Sequence, residues 1–472
     1  MAAARRVRAA AIVFSAAALA SACALNPNGP TMPSPSDPFL DTVQTRTFQW
    51  FWDVTDPSTG LTPDRWPTRT FSSIAAIGFG LSAYLVGAER GYVSRADAGT
   101  RTLNTLRFLY QLPQGASATG VAGYQGFFYH FLDLGSGLRF QTVELSTIDT
   151  ALLLAGVLSC QSYFDADTPT ESAIRAYGDS LYRRVDWTWF QPRPPLISMG
   201  WHPETGFLPV DWTGYNEGMI IYILALGSPT HPITTDAWSK WTEKYEWLTF
   251  QGQPHVNFAP LFGHQYSHVW VDFRGIRDPY MQAHGIDYFE NSRRATLSQR
   301  AYAIANPIGW RDYGADIWGL TAVDGPLDTT LVYDGTARQF FTYSARGAAA
   351  NEVRDDGTLA PTAAGGSVPF APEITVPALK SMRARYGGNL FTQYGYLDSF
   401  NPSYQFGTRV QMGRIVPGVG WFDDDQLGID QGPILLMIEN YRSELLWRVM
   451  RKNPYIRAGL QRAGFTGGWL QP

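Results

Sequence analysis

Apolar residues along this chain come in two textures. Residues 146–160, 215–227 and 432–438 are almost wholly apolar, whereas 95–111, 170–187 and 235–248 keep their apolar side chains to one helical face. A helix apolar on every side must be buried on every side, and one with a single apolar stripe covers a core and faces water. The same period predicts helices over 41–54, 73–88, 146–161, 214–227, 279–305, 311–319, 373–385, 429–442 and 443–452, about a dozen in all. Buried helices alternating with covering ones imply an inner ring wrapped by an outer one. The expected fold is therefore all-α, an (α/α)6 barrel, a toroid of six inner and six outer helices. Strand signals are few and no solenoid period is present. Residues 321–372 form the largest irregular stretch, of a length that usually carries function.

Acidic and aromatic residues stand where the apolar runs begin. In Glu144-Leu145-Ser146-Thr147-Ile148-Asp149, Ser146 and Asp149 have capping-box spacing, so Asp149 either satisfies backbone donors or serves a site. Glu144 lies before that cap and Asp133 before the preceding turn, so neither is needed to start the helix, and both have a stronger claim on substrate. Tyr129 and His130 stand beside them. A second group, Trp212-Thr213-Gly214-Tyr215-Asn216-Glu217, again runs into an apolar helix. A helix dipole would lower the pKa of Glu217, so a proton-donating Glu217 requires desolvation by Trp212 and Tyr215 to prevail. A third group holds Trp421, Asp423 and Asp430, the last readable as an N-cap. In a fourth, His264, His268 and Asp272 would share a helical face. The HExxH spacing is absent, so no metal is expected; His264, Gln265, His268 and Arg274 suit sugar hydroxyls, or a polar network inside the barrel, equally well. Arg65 and Trp66 complete the candidate substrate-binding residues.

Composition narrows the chemistry. A net charge of -4 supplies no field for phosphates, which argues against nucleic acid as a partner. Aromatic residues make up 14% and charged residues only 17% of the chain, a balance suited to a neutral polymer whose C–H faces pack on rings. There is no GxSxG elbow and no glycine-rich phosphate cradle, so no cofactor is called for and paired carboxylates remain the economical catalysts. Glycoside hydrolysis needs such a pair: one carboxylic acid for the leaving oxygen and one carboxylate for water or the anomeric carbon.

The ends read as processing signals. Arg5, Arg6 and Arg8 precede an apolar run over 9–20 that is too short to span a bilayer, which takes ~20 apolar residues. Leu19-Ala20-Ser21-Ala22-Cys23 follows, and Cys23 is where a lipoprotein lipid anchor would attach. Residues 1–23 are thus expected to be a secretory signal, 24–38 a flexible tether, 39–466 the catalytic domain and 467–472 a tail. The expected product is a monomer, periplasmic or anchored to the outer membrane. Cys160 alone remains after processing, so no internal disulfide can form.

The blocks GFFYHFLD, ELSTIDTALLLAG, YNEGM, GHQYSHVWVDFRGIRD, LAPTAAGGSVPFAPE and GIDQGP, in this order, resemble the bacterial glucoamylase-like domain family, and in particular the endo-β-1,2-glucanases of glycoside hydrolase family 144, over about residues 40–465. The resemblance implies an (α/α)6 barrel and inverting hydrolysis of β-1,2-glucan, with relatives that cut inside chains or release sophorose from an end. It gives Glu217 the general-acid role and sets Asp133, Glu144 and Asp149 along the cleft. Rival expectations are an exo-acting enzyme or transglycosylase of the same fold, and a non-catalytic surface glycan-binding lipoprotein.

Overall fold

A computed structural model describes residues 32–471. The predicted signal and Cys23 lie outside the described residues. Fifteen α-helices carry this part of the chain: α1 Pro38–Val54, α2 Ile74–Glu89, α3 Arg95–Gln111, α4 Thr147–Tyr163, α5 Pro169–Arg183, α6 Met219–Gly227, α7 Asp236–Thr242, α8 Tyr266–Trp270, α9 Pro279–His284, α10 Tyr288–Ala305, α11 Pro361–Gly365, α12 Pro372–Tyr386, α13 Gly428–Ser443, α14 Leu445–Met450 and α15 Pro454–Arg462. Their starts are chemically specified. The side chains of Asp37, Ser73, Ser94, Ser146 and Thr168 each accept a backbone N–H of the helix that follows.

The two textures sort as expected. Every residue of α6 is buried, as is α2 from Ile74 to Gly87, whereas α3 and α5 bury one stripe. Helix α2 packs on α1, α3, α4 and α13; α4 continues to α5, α6 and α14; α6 meets α8, and α8 meets α13. Where α2 crosses α4 the backbones touch. A Cβ on Gly156 would stand 2.1 Å from the Gly78 carbonyl oxygen, so the crossing requires glycine. The architecture is helix-rich and consistent with an all-α toroid.

Several predicted elements differ. Residues 311–319 are turns and bends: Asn306 ends α10 in the left-handed region, and Gly309 and Asp312 keep the chain there. The helix predicted over 279–305 breaks at Gly285 (φ 72°) and restarts on the Asp287 cap. Helix α6 begins at Met219, later than predicted, because Gly214 (φ 75°) and a turn closed by Asn216 Oδ1 on the Gly218 N–H hold 214–218 outside it. The helix predicted over 235–248 stops at Thr242, and Trp247–Phe250 pairs with Gln253–Val256 as a hairpin. Short antiparallel strand pairs recur in the connectors. The longest, Thr329–Tyr333 with Thr336–Phe340, lies in the irregular 321–372 stretch, which also contains α11.

The described end of the predicted tether rests on the body: the carbonyls of Pro33 and Pro35 accept hydrogen bonds from Tyr441 and Arg442 of α13. In the predicted tail, Trp469 Nε1 donates to the Asp272 carbonyl at 2.8 Å and Leu470 is buried. Among the described residues no helix is long and apolar enough to cross a membrane.

Candidate active site

The N-terminal ends of the buried helices open on one side of the fold. A cavity of about 160 Å³ there is lined by Ile148 and Asp149 from the first turn of α4, Glu217 before α6, Tyr266 of α8, and Ile429 of α13. His130 and Tyr343 also line it, and these two with Ile429 border a second cavity of about 250 Å³ that adds Asp64 and Arg65. Arg65 and Phe71 continue into a third, about 390 Å³, bordered by Asp424 and Asp425. Shared walls make these a run of connected hollows. A larger cavity of about 430 Å³, near Arg338 and Asp355, shares no residue with them.

Four of the residues singled out in the sequence meet in or beside the first hollow. His130 Nδ1 lies 2.8 Å from Glu144 Oε1, and its Nε2 lies 3.4 Å from Asp149 Oδ2. Burial alone would lower the imidazole pKa, but the charges of Asp149, Glu144 and Asp64 raise it to about 9, so His130 is a cation at neutral pH. Asp149 stands in the first turn of α4 at the capping-box position: Ser146 Oγ accepts from its N–H at 3.2 Å, and its own Oδ2 accepts from that hydroxyl at 2.5 Å while facing the hollow. Burial raises the Asp149 pKa, while His130 and Ser146 oppose the rise. Glu144 is buried enough to be raised too, yet its hydrogen bond with His130 leaves it below the ordinary value.

Glu217 is the contrasting group. Its carboxyl takes no hydrogen bond from another of the described residues, and burial, assisted by the charge of Asp149, raises its pKa to about 7. Desolvation outweighs the helix dipole, partly because Glu217 stands two residues before α6 and not inside its first turn. Two carboxyl groups thus face one hollow in unlike surroundings: one beside an imidazolium and a hydroxyl, the other partly buried with no cationic partner among the described residues. The first setting favours the carboxylate and the second the protonated acid.

The remaining sequence candidates are placed elsewhere. Asp133 is exposed and closes a turn, its Oδ1 accepting from the N–H groups of Gly135 and Ser136 and from the Ser136 hydroxyl, so it is not brought to the cavity. Tyr129 is buried against the Arg139 guanidinium. Trp212 donates to Thr147 Oγ1 at 2.8 Å, Tyr215 packs on His264 and Tyr288, and Asn216 closes the turn before α6. His264 and His268 are fully buried and bonded to Phe258 O and Ser292 Oγ; burial lowers both pKa values to about 3. Gln265 bonds Ala363 O and Ser367 Oγ. Asp272 is taken up by Arg274 and Arg451, and Arg274 also stacks on Trp447. Trp421 donates to Met412 O in the interior. Trp66 lines a further hollow with Tyr394 that shares Asp424 with the third, and Asp423 lies beneath the floor near Asp324 and Asp398. Of the substrate-binding candidates, Arg65, Trp66 and His130 border the connected hollows; the buried ones read as ligands because a satisfied interior histidine, glutamine or tryptophan looks no different in sequence.

Sequence reasoning missed Asp64, Phe262, Tyr266 and Tyr343. Tyr343 comes from the 321–372 stretch, whose length was the only signal; the residue is 52% exposed and borders both hollows.

The scaffold is helix-rich and gathers unlike carboxylates beside open aromatic surface. Residues 209–454 match the family model described as "Putative glucoamylase", and the chain belongs to this glucoamylase-like family. A solved structure from Bacteroides uniformis that carries the same description is 32% identical, with a TM-score of 0.78 over 93% of this chain and 100% of that one. An endo-β-1,2-glucanase of Chitinophaga pinensis, solved with sophorotriose and glucose, is 29% identical, with a TM-score of 0.76 over 93% of this chain and 100% of that one. An exo β-1,2-glucooligosaccharide sophorohydrolase (non-reducing end) of Parabacteroides distasonis is 28% identical over 92% of this chain, which spans 58% of that protein's length.

Proposed function

We propose that this chain hydrolyses β-1,2-glucan, with Glu217 protonating the glycosidic oxygen and Asp149, held by His130 and Glu144, acting on the attacking water. The observation that carries this reading is the contrast at one hollow between a Glu217 without a cationic partner among the described residues, its pKa raised to about 7, and an Asp149 paired with an imidazolium. That division of labour is what glycosidic cleavage demands. Tyr343 supplies an open ring for a sugar face, and Arg65 and Asp64 offer hydroxyl partners farther along. The sugar chain is the only partner the site calls for.

The relatives that act on β-1,2-glucans favour this linkage over α-glucan. We read the action as endo, because the connected hollows run on past Arg65, and as inverting on the family resemblance alone; release of sophorose from a chain end is the second reading, favoured by the exo-acting relative. The fold reads as an (α/α)6 barrel with α2, α4, α6, α8, α11 and α13 inside. Successive contacts between these helices support it, as does Gln265, before α8, donating to Ala363 of α11 at 2.9 Å. Export as a monomeric lipoprotein anchored at Cys23 completes the proposal.

The test is to incubate the purified protein with β-1,2-, β-1,3-, β-1,4- and α-1,4-glucans and resolve the products. Sophoro-oligosaccharides of mixed length from β-1,2-glucan alone are expected. Sophorose alone would support the exo reading, and cleavage only of α-1,4-glucan would overturn the linkage. No cleavage of any of the four, with β-1,2-glucan still bound, would leave a glycan-binding protein in place of an enzyme.

A further inference from the structure

Beneath the floor of the connected hollows, four aspartates from separate segments converge. Asp324, Asp398, Asp423 and Asp430 are each at most 2% exposed, and none borders the hollows themselves. One carboxylate oxygen from each of Asp324, Asp398 and Asp423 lies within 4.8 Å of the others. Half of their acceptor capacity is accounted for: Asp324 Oδ2 accepts from Arg65 at 2.6 Å, Asp398 Oδ2 from the Asp324 N–H at 2.9 Å, and Asp423 Oδ1 from the Asp424 N–H at 2.7 Å. The other half is met only in part. Asp324 Oδ1 and Asp423 Oδ2 are buried and have no donor among the described residues, while the Asp398 and Asp430 carboxyls lie within hydrogen-bond reach of each other and can share a proton.

Charge is as unbalanced as hydrogen bonding. Arg65 bridges Asp64 and Asp324, Arg346 is engaged on two nitrogens by Asp356, and Arg414, which donates to the Asp423 carbonyl, is paired with Asp424. Buried carboxylates in such a group persist only when protonated, paired or bound to a cation. A sugar hydroxyl does not reach them, because the four lie behind the cavity walls. A small ion would satisfy both deficits.

We propose that Asp324, Asp398 and Asp423 hold one divalent cation, and that the ion is Ca²⁺. An all-carboxylate donor set suits hard cations over zinc or copper. Oxygens that all lie within 4.8 Å of one another can reach one ion together, and Ca²⁺, with 6–8 oxygen ligands in flexible geometry, suits carboxylates brought from three separate segments better than Mg²⁺, which demands a near-ideal octahedron. The ion would join segments already stitched by hydrogen bonds from Ser399 Oγ to Asp324 O (2.7 Å) and from the Asp423 N–H to Ser399 O (3.0 Å). Its role is to brace the floor that carries Arg65, and it stands independently of the reaction proposed above.

Metal analysis of the full purified chain after dialysis in metal-free buffer is expected to find one calcium per molecule. Stripping with EDTA should lower the melting temperature by several degrees, and CaCl2 alone should restore it where MgCl2 does not. Asp423→Asn and, separately, Asp398→Asn should each weaken Ca²⁺ affinity in calorimetric titration by about tenfold or more. Should either variant fold poorly, the metal content and the EDTA and Ca²⁺ melting curves of the unaltered chain decide. A chain without stoichiometric metal that melts identically in EDTA and in millimolar Ca²⁺ overturns the proposal and leaves shared protons as the solution. Stoichiometric Mg²⁺ overturns the choice of ion, and undiminished Ca²⁺ binding by both variants overturns the site.

Discussion

His130 and Asp149 are joined across the mouth of α4, with Nε2 3.4 Å from Oδ2, while the opposite ring nitrogen meets Glu144 at 2.8 Å. The imidazolium compensates two carboxylates and fixes the direction of one. His130→Asn should therefore lower kcat by ~10²-fold with a smaller change in KM, the pattern of a group that positions a catalytic carboxylate. Its pKa of about 9 exceeds the ordinary 6.5, so the pairing stabilises the fold fully below pH 6.5 and the gain is lost as pH rises through 9. Melting temperatures between pH 6 and 10 should show that loss in the unaltered chain and not in the variant; equal slopes would remove the ion pair.

Glu217→Gln should reduce hydrolysis of β-1,2-glucan by ~10³-fold or more while substrate still binds. Because the proton on Glu217 leaves near pH 7, kcat/KM of the unaltered enzyme should fall on the alkaline side of about pH 7. Stability moves the same way. A carboxyl raised from 4.5 to about 7 favours the folded state at low pH, and that advantage disappears as pH climbs between those values. Relative to the parent, the glutamine variant should thus melt higher at pH 8 than at pH 4. A pH–rate profile unchanged around 7 would take the proton-donor role away from Glu217.

Tyr343→Ala should raise KM about tenfold with kcat within a few-fold, since removing one stacking ring forfeits ~1.5 kcal/mol of uniform binding. Tyr343→Phe should restore most of the affinity if the ring face, and not the hydroxyl, holds the sugar. Kinetics on a soluble β-1,2-glucan would show whether kcat falls instead.

How far these residues could be read in advance depended on whether they sat beside a periodic element. Glu217, Asp149 and Glu144 precede or begin wholly apolar helices, and an acidic group at such a junction is visible as an interruption of the pattern. Tyr343 and Asp64 come from connectors, where no period marks a position and only the tertiary path brings them to the hollow. Asp133 misled because a carboxylate next to a site and a carboxylate closing a turn share the same local sequence. His264 and His268 misled for a related reason: four-residue spacing aligned them on one face, but that face is interior, and both rings are neutral and satisfied by their neighbours. Helix ends were displaced where glycine took a left-handed conformation that the apolar pattern does not register, as at Gly214 and Gly285.

Arg346 shows how a residue remote from the chemistry can shape the cleft. It is fully buried, pairs with Asp356 through Nε at 2.7 Å and Nη2 at 2.8 Å, and donates to the carbonyls of Val323, Phe341 and Thr342. The last two immediately precede Tyr343, and Val323 follows Ala322 in the cavity wall. One guanidinium thus satisfies a buried charge and fastens both strands of the cleft-lining segment. Arg346→Met would strand Asp356 without compensation, at a cost of ~3–5 kcal/mol, and should lower the yield of folded protein. Arg346→Lys is the sharper experiment, because it keeps the charge and loses the planar fork. The lysine can meet Asp356 but not all three carbonyls, so the Tyr343 segment should loosen. The expected outcome is a lower melting temperature together with a raised KM and little change in kcat. Adding Tyr343→Ala to Arg346→Lys should then raise KM by less than the product of the single effects, since both act through the same ring. Multiplicative effects would show that Arg346 supports the fold without setting the position of Tyr343.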